Sequence, residues 1–139
     1  MQEIFVDTAH IVALLNRRDQ LHEEASRVAL ALYQLDDLFF VTTDAVLVEV
    51  FALRSKFGAG ARRATVDFVA GLRRDARVRL VHQTPTLFDA GIALYGHRLD
   101  KSYSLVDCMS MVVCRDRKIR EVLTADRDFE QEGFTILLR

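Results

Sequence analysis

Four acidic residues stand out because each interrupts or ends an apolar run. Asp7 follows Ile4-Phe5-Val6, Glu49 sits between Val48 and Val50, Asp107 lies within residues 104–114, and Asp126 follows Val122-Leu123-Thr124-Ala125. An ionised carboxylate is rarely buried unless something compensates its charge. Each has a local explanation. Asp7 could cap a following helix, as could Thr8; Ser104 with Asp107 three residues on is a capping-box pattern; Asp126 could close an Asx turn, and Asp128 reads as the cap of a final turn. Convergence of the four would replace these separate coincidences with one cause. Carboxylates held a few ångströms apart repel, and at least one is driven to protonate unless a cation intervenes. Oxygen ligands without His or Cys beside them suit Mg²⁺, with Mn²⁺ as its substitute, rather than zinc. The matching chemistry is phosphodiester hydrolysis, in which such a metal polarises a phosphoryl oxygen and lowers the pKa of a bound water.

Convergence requires elements that deliver the acids to one place. Short apolar, β-branched or aromatic runs at residues 3–6, 38–42, 121–123 and 134–138 read as strands, and 77–82 alternates basic and apolar residues as a strand near a sheet edge does. Helical periodicity fills the gaps: residues 9–15, about 19–35, a run from 45 with Thr43 or Asp44 as cap, and a helix after the Gly58-Ala59-Gly60 break. In that last helix Val66, Val69 and Leu72 are expected to face inward. Thr84-Pro85 opens a further helix to about residue 99, and Ser104 opens the one that carries Asp107. Strands separated by crossover-length helices predict an α/β fold of three layers: a central, mainly parallel sheet of about five strands flanked by helices. Ligands of such sheets gather at the carboxyl ends of the strands. Asp7 and Asp126 end strands, while Glu49 and Asp107 lie in early helical turns that start from the same edge.

Composition sets the outer bounds. The chain has 139 residues, half of them hydrophobic, a single proline and a net charge of −1. One domain spanning residues 1–139 is expected, large enough to bury roughly two-thirds of its unfolded surface. No apolar run reaches membrane-spanning length and the N-terminus lacks the basic start of a signal peptide, so a cytoplasmic protein with no membrane association is expected. Cys108 and Cys114 match no metal or redox spacing and read as buried, reduced thiols. Neutral overall charge confines any nucleic-acid contact to local patches. Arg54 and Lys56, beyond Glu49, are the better candidates for contacting a substrate; Arg115, Arg117, Lys118 and Arg120 suit the end of the Asp107 helix. Lys101 and Tyr103 could contact a phosphate or base, against an ordinary loop role. The four histidines show no ligand spacing. Tyr33, Phe51 and Phe57 would form a partner or dimer face if exposed, with core packing the default.

Ile-Phe-Val-Asp-Thr from residue 4, Glu49 in Val-Leu-Val-Glu-Val, Ser-Leu-Val-Asp from residue 104 and Leu-Thr-Ala-Asp-Arg-Asp-Phe from residue 123 together resemble the PIN domain family. The similarity is greatest to the small ribonuclease toxins of VapBC toxin–antitoxin modules. Each motif is short; the order and spacing of the set over the whole chain carry the likeness. The resemblance implies an Mg²⁺-dependent endoribonuclease, usually a homodimer, held inactive by a cognate antitoxin and acting on an RNA substrate. It implies Asp7 and Asp107 as direct metal ligands, Asp126 completing the site and Glu49 acting directly or through water. Thr8, Ser104 and Thr124 are neighbouring hydroxyls able to orient the acids, and Asp128 could assist or replace Asp126. Other readings are a PIN-like nuclease of RNA processing without an antitoxin, a non-catalytic RNA- or protein-binding module, and a receiver-like phosphoacceptor domain. Retention of all four acids argues against the non-catalytic module. The receiver reading lacks its paired acids after the first strand and its lysine after the last.

Overall fold

Apolar runs that alternate with amphipathic helices build a sheet covered on both faces. A computed structural model describes residues 1–139. In chain order the elements are β1 (Gln2–Val6), α1 (Thr8–Leu15), α2 (His22–Tyr33), β2 (Leu38–Thr43), α3 (Asp44–Arg54) and α4 (Gly58–Arg74). They continue as β3 (Val78–Val81), α5 (Pro85–Gly96), α6 (Leu105–Arg117), β4 (Glu121–Leu123), α7 (Asp128–Gln131) and β5 (Thr135–Ile136). The five strands lie in the order β3-β2-β1-β4-β5, and every neighbouring pair is parallel. This is the three-layer α/β arrangement expected, with β3 at an edge.

Strand alternation sends side chains to opposite faces. Ile4, Leu38, Phe40 and Leu123 join Ala13 of α1 and Ala25 of α2 in one apolar cluster. Phe5, Val41 and Val122 join Met111 and Cys114 of α6 and Val46 and Val50 of α3 in the larger one. Both cysteines are free and buried. β5 is shorter than residues 134–138 suggest, yet the chain stays alongside β4, because Leu137 N bonds Val122 O at 3.0 Å and Leu138 N bonds Thr124 O at 3.2 Å. The helix expected from residue 19 or 20 begins at His22, because Asp19 turns the chain first by accepting from Leu21 N at 2.9 Å.

Local chemistry sets the helix starts that matter for the site. Thr43 caps α3 by accepting from Val46 N at 3.1 Å, and Thr84 caps α5 with Pro85 in its first turn. α4 begins at Gly58, whose φ of 91° is a left-handed geometry that glycine adopts freely. Val66 of α4 is exposed, contrary to the expected inward face; Thr65 takes the buried place beside it. The Thr65 hydroxyl donates to Ala61 O and accepts from Arg54 Nε at 2.9 Å. Arg54 is thereby buried as a clamp between α3 and α4, only 5% exposed, and is not the substrate-facing cation its position after Glu49 suggested.

Candidate active site

β1 and β4 are neighbours at the centre of the sheet, where connections depart in opposite directions, and Asp7 ends β1 at this switch point. Its side chain is 3% exposed. Asp7 Oδ2 accepts from the Thr124 hydroxyl at 2.8 Å, whereas Asp7 Oδ1 is buried with no donor. Thr124, just past β4, also accepts from Asp126 N at 3.1 Å, so one hydroxyl ties the ends of both central strands. Asp126 Oδ1 accepts from Asp128 N at 2.9 Å: the Asx turn forms, and it holds Asp126 at the cleft instead of removing it.

The capping box forms as well. Ser104 Oγ accepts from Asp107 N and Asp107 Oδ2 accepts from Ser104 N, both at 3.0 Å. This box fixes Asp107 on the first turn of α6, close to the strand ends. Carboxylate oxygens of Asp107, Asp126 and Asp128 lie within 4.8 Å of one another. Asp7, Glu49, Asp107 and Asp126 line a single cleft of about 460 Å³, joined by Asp19 from the α1–α2 loop. No Lys, Arg or His lines that cleft.

The electrostatics follow from this crowding. Burial pushes the Asp7 carboxyl up to about 7, with repulsion from Asp107 and Glu49 adding to it and the Thr124 hydrogen bond opposing. Burial also raises Asp107, and Asp126 and Glu49 raise it further. Asp128 is raised by burial and by Asp126, against the opposing charge of Lys101. An all-oxygen donor set, mutual repulsion and an undonated buried oxygen on Asp7 fit a hard divalent cation, which would relieve the last two.

The PIN domain family model matches residues 4–134. The chain belongs to the PIN domain family. A search of curated proteins finds no match. Among solved structures, this PIN domain is similar to VapC20 of Mycobacterium tuberculosis, described as a toxin that cleaves the sarcin–ricin loop. The identity is 29% and the TM-score 0.84, over 98% of this chain and 99% of that one. VapBC2 of Rickettsia felis, solved bound to a fragment of promoter DNA, shares 10% identity at a TM-score of 0.71, over 99% of this chain and 100% of its own. VapBC-1 of nontypeable Haemophilus influenzae shares 14% at 0.65, over 98% and 97%. The last two are likenesses of fold.

Several residues of this PIN domain sit differently from expectation. Thr8 does not cap α1; Asp7 occupies the cap position, neither residue makes a side-chain cap bond, and the Thr8 hydroxyl is buried without a partner. Asp128 does not cap the final turn, because Arg127 holds that position, and it stands instead with Asp107 and Asp126. Tyr103 is buried and its hydroxyl donates to Glu132 Oε2 at 3.0 Å, so that hydroxyl is engaged within the protein. Val48, expected within an apolar face with Glu49, is 67% exposed. Asp19 was invisible as a cleft residue because nothing in Arg17-Arg18-Asp19 distinguishes it from an ordinary polar turn. No histidine approaches the acids: His10 is buried elsewhere, His22 bonds Ala13 O and His82 bonds Asp44.

Proposed function

We propose that this PIN domain is an Mg²⁺-dependent endoribonuclease acting as the toxin of a toxin–antitoxin pair. The single observation that carries the reading is the gathering of Asp7, Glu49, Asp107 and Asp126 around one cation-free cleft. Asp7, Asp107 and Asp126 would hold the metal, with Asp128 beside them as a further ligand. When bound, the divalent cation stabilises charge on the phosphoryl oxygens and makes water a better nucleophile at neutral pH. Mn²⁺ would serve in its place. The Thr124 hydroxyl keeps Asp7 oriented, and the Ser104 box keeps Asp107 oriented. Glu49, which lines the same cleft from α3, takes a proton from the attacking water or positions it.

The likeness to VapC20 supports RNA as the substrate, and the VapBC assemblies among the neighbours support an antitoxin partner. Exposed apolar side chains along α3 and just beyond it (Val48, Phe51, Leu53 and Phe57) support a protein-binding face, either in a homodimer or against the antitoxin. No helix is long and apolar enough to cross a membrane. We read residues 1–139 as one cytoplasmic domain.

The test is cleavage of single-stranded RNA in millimolar Mg²⁺ by the wild type and by Asp7→Asn and Asp107→Asn. Wild-type cleavage that stops on chelation and is lost in both variants, leaving 5′-phosphate and 3′-hydroxyl ends, is the expected result. Undiminished cleavage by both variants overturns the reading.

A further inference from the structure

A polyanionic substrate approaching the cleft meets only acids and neutral groups. Some neighbouring surface must supply cations, since phosphate contacts by Lys and Arg dominate nucleic-acid affinity. Ser104 and Asp107 line the cleft on one side of the first turn of α6, and Tyr103 and Cys108 line a second depression of about 180 Å³ beside that turn. The remaining walls of that depression are Tyr95, Arg98, Leu99 and Lys101, from the end of α5 and the loop after it. Two cations and an exposed aromatic ring thus adjoin the acids across a single helical turn.

The groups differ in how free they are. Arg98 is fixed by Glu132, with Nε to Oε2 at 3.0 Å and Nη2 to Oε1 at 3.2 Å. These bonds use the edge of the guanidinium and leave its flat face for stacking. Lys101 pairs only with Asp100, at 3.6 Å, and Asp100 is 77% exposed. Such a surface pair is worth little and yields readily to a phosphate. Tyr95 is 52% exposed. Unpaired bases are recognised by stacking on such aromatic and guanidinium planes.

We propose that this depression is the subsite for one unpaired nucleotide flanking the phosphate cut in the cleft. Lys101 holds the backbone phosphate, and Tyr95 with the Arg98 face stacks on the base. The assignment rests on the nuclease reading above and names where its RNA lies.

The probe is a short, mixed-sequence, single-stranded RNA carrying a fluorophore, followed by cleavage in Mg²⁺ and by anisotropy without metal. Tyr95→Ala is expected to raise KM, and the metal-free Kd, on the order of ten-fold with kcat nearly unchanged, the usual loss for one stacked base. Tyr95→Phe retains wild-type values. Lys101→Met lowers the slope of log K against log salt by about 0.7, the loss of one single-strand phosphate contact. Arg120→Met, at the amino end of β4 and away from the strand ends that carry the acids, leaves KM as it was. Unchanged KM and Kd in Tyr95→Ala together with an unchanged salt slope in Lys101→Met overturn the subsite, as does a loss confined to kcat. If Asp107→Asn is inactive in the same assay, the nuclease reading survives that failure. If Asp107→Asn cleaves like the wild type, both fall.

Discussion

Replacing Asp7 by Asn should make the metal-free protein more stable, not less, and the size of the gain follows from its surroundings. Burial and two acidic neighbours raise the Asp7 carboxyl from 3.8 to about 7. A raised acid pKa means that the native state binds its proton more tightly than the unfolded chain. The associated stability is therefore fully present below pH 3.8 and is lost as pH rises through 7. A shift of that size corresponds to about 4 kcal/mol at 1.36 kcal/mol per unit. Asn keeps the shape, and its carbonyl can still accept from Thr124. Its amide replaces an oxygen with no donor, and an imperfectly placed amide costs roughly 1–2 kcal/mol. The net expectation at pH 8 in EDTA is a gain of about 2–3 kcal/mol, or roughly 6–12 °C in Tm for a chain of this length. At pH 4 the gain should vanish or reverse. The assay is thermal or urea unfolding of both proteins from pH 4 to 9 in chelator. A variant no more stable than the wild type at pH 8, or a difference flat with pH, would refute the claim that repelling, desolvated acids meet here.

Other perturbations separate the site from its scaffold. Millimolar Mg²⁺ or Mn²⁺ should raise the wild-type melting temperature, by the equivalent of about 2.7 kcal/mol at a hundred-fold excess over Kd, and should leave Asp107→Asn nearly unmoved in the same scanning experiment. Asp128→Asn should slow RNA cleavage less than Asp107→Asn does; equal losses in initial rate would place Asp128 on a par with the others. Glu132 is held down at about 2 by Arg98, with Arg115 and Tyr103 also bonded to it, so its stabilisation is present above pH 4.5 and is lost as pH falls toward 2. Glu132→Gln should destabilise by about 2 kcal/mol in urea unfolding at pH 7, Arg98 being only part-buried and Arg115 exposed. Gly91→Ala should cost about 1–3 kcal/mol by the same measure, because its Cβ would lie 2.5 Å from Met109 Cγ where α5 packs on α6.

The strands, the helix order and the parallel sheet could be read from the chain because each depends on local periodicity and on crossover length. The Ser104–Asp107 box and the Thr43 and Thr84 caps were legible for the same reason: donor and acceptor lie within one turn. The four acids were legible as anomalies, since a carboxylate in an apolar run needs a cause wherever it falls. Tertiary structure decided what those patterns could not. Arg54 lost its place at the groove because a helix eleven residues on offered Thr65 as its partner. Glu132, remote in sequence, takes the Tyr103 hydroxyl, and the Asx turn at Asp126 brings Asp128 beside Asp126 and Asp107, where the sequence left it as cap or assisting acid. Asp19 joins the cleft only where the α1–α2 loop meets the ends of β1 and α6, and the Tyr95–Lys101 depression forms only where the end of α5 folds back against α6. Hydrophobic period and capping are properties of neighbours along the chain, whereas the field at a carboxylate is a sum over neighbours in space, and only folding sets that sum.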